Sequence, residues 1–253
     1  MAALPLKGRV AVITGGARGI GLAFCQGLAE AGADIAIFDI ISPSPAFKMI
    51  STEYSVRTKS YEVDVTSLSS LEAGFASVAA DFDGKLDIFV ACAGINKMVE
   101  FLSTTEADLD HLLNVNIKGV YFGAQLAAKA MISSATTCGS IILVASIASY
   151  ITIRSLSQPA YCGTKGAVRA LVAPMAAELS KHGIRVNSIS PGYVKTEMTA
   201  PFPHMLEVWK GEIMNGRLAE PDDLKGACVF LASDASRYCT GSDILVDGGV
   251  TKW

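Results

Sequence analysis

The sequence predicts an α/β fold: one doubly wound parallel sheet of about seven strands with helices on both faces. Three observations predict it. Short β-branched runs alternate with segments of helical period along the whole chain, as in parallel strands joined by crossover helices. A glycine-rich turn separates the first strand from the first helix. No composition shift, repeat or low-complexity tract marks a boundary, so residues 1–253 read as a single domain.

Arg9 to Thr14 is the first strand, β-branched and apolar enough to be buried on both faces. Thr14-Gly15-Gly16-Ala17-Arg18-Gly19-Ile20-Gly21 follows at once, and an apolar helical segment runs from Leu22 to Ala31. Strand, glycine turn and helix start arrive in the order of a phosphate-binding βα unit. In that reading Gly15 permits the turn, Gly19 admits a pyrophosphate to the backbone, and Gly21 allows close helix–strand packing. Asp34 to Asp39 is the second strand. The carboxylate of Asp39 stands where an acid accepts hydrogen bonds from an adenosine ribose, or it is an ordinary strand-end turn residue. Arg18 either lies along an adenine or extends to solvent.

Ile40 to Ser55 reads as a loop and a short helix, and Lys59 to Val65 as a third strand. Asp64 hydrogen-bonds an adenine amine or caps the next helix, Ser67 to Phe82. Asp87 to Ala91 is a fourth strand, running into Cys92-Ala93-Gly94-Ile95-Asn96. Asn116 lies in a long helical stretch, Thr105 to Met131, where its amide must hold a water or bend the helix. Ser140 to Val144 is a fifth strand, with Ser146 and Ser149 just past its carboxyl end. A helix from near Tyr161 to about His182 contains Pro174, which should kink or break it. Arg185 to Ser190 is a sixth strand and leads into Pro191-Gly192-Tyr193-Val194-Lys195-Thr196. Thr199 to Gly216, with Phe202, Met205, Trp209 and Met214, is apolar yet irregular: a lid over an apolar substrate, or a surface helix with core contacts. Glu220 to Ser233 is a helix and Asp243 to Val246 the last strand.

Tyr161 and Lys165 stand four apart on one helix face. A phenol titrates near pH ~10, so a neighbouring cation that favours the phenolate brings proton transfer within reach. Apolar residues make up 51% of the chain, enough for a substantial core. A net charge of −3 leaves no basic patch for nucleic acid. The six cysteines form no Cys-x-x-Cys and no cluster with histidine, which points to reduced thiols, a cytoplasmic location and no metal. Met1 to Val10 has no secretory h-region, no apolar run reaches the ~18 residues of a membrane span, and Thr251-Lys252-Trp253 is no targeting signal.

The whole constellation resembles the short-chain dehydrogenase/reductase family, over essentially all 253 residues. Thr14 to Gly21 matches its TGxxxGxG turn, and Asn116, Ser146, Tyr161 and Lys165 fall on its Asn-Ser-Tyr-Lys positions. Pro191-Gly192 through Thr196 matches its nicotinamide-side motif. The resemblance implies a Rossmann-type fold and hydride transfer between a nicotinamide cofactor and a secondary alcohol or ketone. It implies that Tyr161 is the general acid/base and that Lys165 binds the nicotinamide ribose and lowers the Tyr161 pKa. Ser146 would then bind the substrate oxygen, and Asn116 would hold a water linking Lys165 to solvent. Cofactor contacts are expected from Gly15, Arg18, Gly19, Ile20, Gly21, Asp39, Asp64, Val65, Ala93 and Gly94, and on the nicotinamide side from Pro191, Gly192, Val194 and Thr196. Asp39 favours NAD by repelling a 2′-phosphate, while Arg18 leaves NADP open. The family also implies a homotetramer or homodimer.

Two departures stand out. Ala91-Cys92-Ala93-Gly94 replaces the family's Asn-Asn-Ala-Gly, a thiol for an amide that steadies the central strand, with an expected cost in stability or cofactor affinity. Ser146 lies further before Tyr161 than in many members, a spacing similar to fungal-type sorbose, mannitol and xylulose reductases. That similarity points to polyols or ketoses. The lid instead suggests a larger apolar metabolite, and a non-catalytic cofactor-binding scaffold is the reading from another class.

Overall fold

The structure, a computed structural model, describes residues 6–134, 136–153 and 156–252. Met1–Pro5 and Trp253, on which the leader and C-terminal-signal expectations partly rest, lie outside them. Seven strands form one sheet: β1 Val10–Thr14, β2 Asp34–Asp39, β3 Thr58–Glu62, β4 Ile88–Ala91, β5 Gly139–Val144, β6 Ile184–Pro191 and β7 Asp243–Val246. Their order is β3-β2-β1-β4-β5-β6-β7, and every pairing is parallel. The chain builds outward from β1 to β3, then crosses back to lay β4 on the other side of β1. Thr14 pairs in register with Ala91 at that reversal. An open sheet offers its crevice there, outside the carboxyl ends of β1 and β4.

Eight α-helices connect the strands: α1 Gly19–Glu30, α2 Pro45–Tyr54, α3 Leu68–Asp81, α4 Glu106–Leu113, α5 Val120–Ser133, α6 Pro159–Leu179, α7 Leu206–Glu212 and α8 Lys225–Ala232. Central strands β1, β4 and β5 are buried throughout, which is why they read as unbroken apolar runs. One core cluster packs Phe38, Phe75 and Phe89 between the sheet and α3, α5 and α6. A second packs Phe24 and Leu28 of α1 against the other face, with Leu231 of α8.

Three expectations are corrected. Pro174 does not break α6, which runs unbroken through it to Leu179. Both Pro174 and Ala170, whose carbonyl loses its donor, are exposed, so that carbonyl is not left buried without a partner. Asp64 does not cap α3; Ser67 does, accepting from the Ser70 N–H at 3.3 Å. The Thr105–Met131 stretch is not one regular helix either. Asn114–Gly119 forms a π-turn between α4 and α5, and Asn116 sits inside it.

Candidate active site

The crevice at the β1/β4 reversal is a cleft of about 650 Å³. Gly15, Arg18, Gly19, Ile20 and Gly21 line one end, next to Asp39 at the tip of β2 and to Asp64 and Val65 beyond β3. Ala93 and Gly94 lie at the middle. Ser146, Tyr161 and Lys165 border the far end, facing Pro191, Gly192, Val194 and Thr196. Asn116 alone of the expected catalytic and cofactor residues does not line the cleft; it is fully buried.

Gly15 has φ of +69°, and a Cβ there would meet the Ala93 backbone at 2.9 Å. A Cβ on Gly21 would fall on the Gly15 carbonyl, so the turn closes only without side chains at both positions. Arg18 precedes α1 with no side-chain cap, which leaves the first-turn N–H groups of α1 for an anion. Asp39 accepts from the Ala17 N–H at 3.0 Å and the Ile41 N–H at 3.2 Å. Asp64 accepts the N–H and hydroxyl of Thr66 on one oxygen, both at 2.8 Å. A bare glycine cradle, a helix start and a carboxylate at the neighbouring strand tip fit a dinucleotide.

Cys92 ties to β1 through its backbone. The Cys92 and Ala93 N–H groups both donate to the Thr14 hydroxyl at 3.1 Å, so β1 itself steadies the end of β4. Burial pushes the Cys92 thiol up to about 12, keeping it neutral.

At the far end, α6 puts Tyr161 and Lys165 one turn apart, both buried. Lys165 Nζ donates to the Val144 carbonyl at 2.8 Å and lies 5.9 Å from the Tyr161 ring centroid. Burial pushes the Tyr161 phenol up to about 12, and a hydrogen bond with Ser146 opposes that only in part. Burial likewise pushes the Lys165 ammonium down to about 8. Desolvation is the largest cause for both groups. Ser146 caps a short turn, its hydroxyl accepting from the Ala148 N–H at 3.1 Å, and lines the cleft. Ser149 donates to the Ser146 carbonyl at 2.6 Å and does not. The Asn116 side chain holds no place for a water on its donors: Nδ2 gives to Ile95 O and Thr164 Oγ1, at 2.9 and 3.0 Å.

The lid differs most from expectation. Trp209 is buried and stacks on Tyr193 at 5.1 Å, while Phe202 and Met205 pack on the same small cluster. None of Phe202, Met205, Trp209 and Met214 lines the cleft. Sequence reasoning missed others that do: Asn96, His111, and Glu197 and Met198 after Thr196. Apolar residues at irregular spacing carry no signal of whether they face a ligand or each other.

A family model described as enoyl-(acyl carrier protein) reductase matches residues 15–251. The chain is also 39% identical, over 96% of its length and 88% of the relative's, to a probable NADP-dependent mannitol dehydrogenase of Yarrowia lipolytica. The chain belongs to the short-chain dehydrogenase/reductase family. A sorbose reductase of Candida albicans is 37% identical over 97% of this chain and 88% of its own. A gluconate 5-dehydrogenase from Burkholderia cenocepacia, solved with NADP and tartrate, superposes with a TM-score of 0.92 at 34% identity, covering 99% of this chain and 98% of that one. This family member is an NAD(P)-dependent oxidoreductase acting on secondary alcohols and ketones. Among the described residues, no helix is long and apolar enough to cross a membrane.

Proposed function

We propose that this dehydrogenase interconverts a polyhydroxy secondary alcohol, a polyol or sugar derivative, and the matching ketone. One observation carries the choice of substrate: Phe202, Met205 and Trp209 pack with Tyr193 away from the cleft, while Asn96, His111 and Ser146 are among the residues that line it. Hydrogen-bonding groups among the cleft's lining favour hydroxylated substrates over apolar ones. The names of the mannitol and sorbose relatives support it. Initial rates over a panel of ketohexoses, polyols and unsubstituted ketones test it; a preference for the unsubstituted ketones overturns it.

In this reading Tyr161 Oη gives and takes the substrate proton, and Ser146 Oγ orients the reacting oxygen. Lys165 and Asn116 support that pair, Lys165 as the cation beside the ribose and Asn116 as the anchor of the loop carrying Ile95. The nicotinamide, when bound, supplies or removes the hydride. A non-catalytic scaffold has no use for a buried Tyr161–Lys165 pair opening on a cleft. Residues 197–216 serve as the rim of the substrate end of a single domain.

For the cofactor we propose NAD(H). Asp39 keeps lone pairs for two ribose hydroxyls, and Ile40 and Ile41, both exposed, offer a 2′-phosphate no cation. The NADP named for relatives and neighbours favours the second reading, in which exposed Arg18 takes the phosphate. Comparing kcat/KM for NADH and NADPH on one ketone decides between them. A cytoplasmic homotetramer or homodimer completes the proposal: Leu109, Leu113 and Tyr121 of α4 and α5 are each about two-fifths exposed, an apolar face suited to a second copy. Light scattering showing a monomer at micromolar concentration would rule the oligomer out.

A further inference from the structure

Asn96 ends the run that leaves β4 and lines the same cleft as Ser146 and Tyr161. Its Nδ2 donates to Oε1 of Gln158 at 2.6 Å. Gln158 is only 3% exposed and immediately precedes α6, one turn ahead of Tyr161. The amide pair thus joins the β4 loop to the start of the helix that carries the phenol. Asn96 Oδ1 is different: it is buried and has no hydrogen-bond partner, the one such side-chain nitrogen or oxygen among the described residues.

Buried polar atoms are nearly always paired, so an orphan at the edge of a cleft asks what pairs with it. Gln158 fixes the nitrogen end of the carboxamide, which leaves the oxygen as the open end. The terminal amide torsion is broad, so a rotation that lengthens the Gln158 contact brings that oxygen to the cleft. An amide oxygen only accepts, which excludes a carboxylate, a phosphate oxyanion or an alkyl group as its complement and selects a donor, which on a polyhydroxy substrate is a hydroxyl. Ser146 and Tyr161 already take the reacting oxygen, so the hydroxyl belongs to another carbon.

We propose that Asn96 recognises a second hydroxyl of the substrate, one near the reacting carbinol, and that Gln158 is the positioning residue that holds it. The inference rests on the polyhydroxy-substrate reading above. A ketone lacking that hydroxyl leaves Oδ1 unpaired, and sites built around a substrate hydroxyl discriminate strongly against its absence.

The test compares kcat/KM for L-sorbose and for hexan-2-one in wild type, Asn96→Leu and Gln158→Met, with cofactor affinity measured alongside. Asn96→Leu is expected to lower the sorbose value by at least ~10-fold, mainly through KM, with hexan-2-one changed less than about twofold and cofactor affinity unchanged. Gln158→Met is expected to give a smaller loss of the same kind. Equal losses on both ketones, or none on sorbose, overturn the inference and leave the polyhydroxy reading standing. A wild type that prefers hexan-2-one overturns both. Should Asn96→Leu not fold, Asn96→Ser and Gln158→Met decide by the same ratio.

Discussion

Asn116 and Ile95 are joined by two hydrogen bonds: Asn116 Nδ2 donates to the Ile95 carbonyl, and Asn116 Oδ1 accepts from the Ile95 N–H, both at 2.9 Å. The side chain imitates a strand neighbour for a residue that has left its strand. The π-turn at Asn114–Gly119 is what aims it there, since one extra residue in the helix rotates the next side chains. Asn116→Ala removes both partners of Ile95 at once. The expected cost is ~1–3 kcal/mol for each group left dry. Urea unfolding of wild type and variant measures it, and a change below about 0.5 kcal/mol would mean that water fills the gap. Asn116→Asp should be worse than its shape suggests, because it has no donor for the Ile95 carbonyl and puts an acceptor against the Thr164 hydroxyl.

Tyr161 is held in its protonated form by burial, with the phenol at about 12. As the proposed acid/base it is therefore ready to donate at neutral pH. Ketone reduction should be level through pH 6–8, while alcohol oxidation, which needs a proton acceptor, should rise with pH over the same range. Tyr161→Phe keeps the ring in its packing and removes the proton. Turnover should fall ~10²–10⁴-fold or more with cofactor affinity retained. Near-normal turnover in a folded variant would end the proposed mechanism.

Much of this was legible in the residues. The strands were, because β1, β4 and β5 are buried on both faces and show it as Val and Ile runs. So was the cofactor end, because a turn that closes only without side chains at Gly15 and Gly21 can be written in few ways. The π-turn was not, since an i→i+5 hydrogen bond leaves no compositional trace. Nor was the fate of Trp209, which depends on Tyr193 arriving beside it from the end of β6. Asn96 and Gln158 are 62 residues apart, and only the folded chain makes them a pair. The burial of Tyr161 and Lys165 also escaped, because helical spacing shows that Lys165 is near but not how deeply both are buried.

Ser146 and Ser149 are separated by their hydrogen bonds. Ser149 spends its hydroxyl proton on the Ser146 carbonyl at 2.6 Å, while the Ser146 hydroxyl accepts from the Ala148 N–H and is hydrogen-bonded to the Tyr161 phenol. Ser146→Ala should cut kcat by ~10-fold or more, as loss of one oriented hydrogen-bond donor does. Ser149→Ala should retain most turnover and lose ~1 kcal/mol of stability. The reverse order in steady-state kinetics would reassign the substrate-facing hydroxyl.

Glu197 places a carboxylate oxygen 3.4 Å from where a Gly19 Cβ would stand, at the amino end of α1. That is where the proposed pyrophosphate belongs, so the carboxylate and the cofactor compete for one positive helix end. Glu197→Gln keeps the shape and removes the charge. Cofactor should bind ~2–5-fold tighter, and the gap should close as salt screens the repulsion. Titration of cofactor fluorescence at low and high ionic strength reads both effects. Unchanged affinity at low salt would show that Glu197 swings clear without cost.

Lys165 gives the cleanest pH signature. Burial holds its folded-state pKa at about 8, below its ordinary value of 10.5. Below pH 8 both folded and unfolded chains carry the proton, and the cost of a buried ammonium is present in full. Between about pH 8 and 10.5 the unfolded chain keeps the proton and the folded chain releases it, so this group's contribution to stability rises with pH. Lys165→Met removes the charge while keeping most of the side chain's bulk. The stability difference between wild type and variant should therefore shift in favour of wild type as pH climbs from 8 to 10. The Tyr161 phenol titrates higher and does not mask the shift in that window. Thermal unfolding of both proteins at matched ionic strength measures it. A difference that stays constant from pH 7 to 10 would show that the ammonium is already solvated, through water or by local opening, and that burial is not what sets its charge.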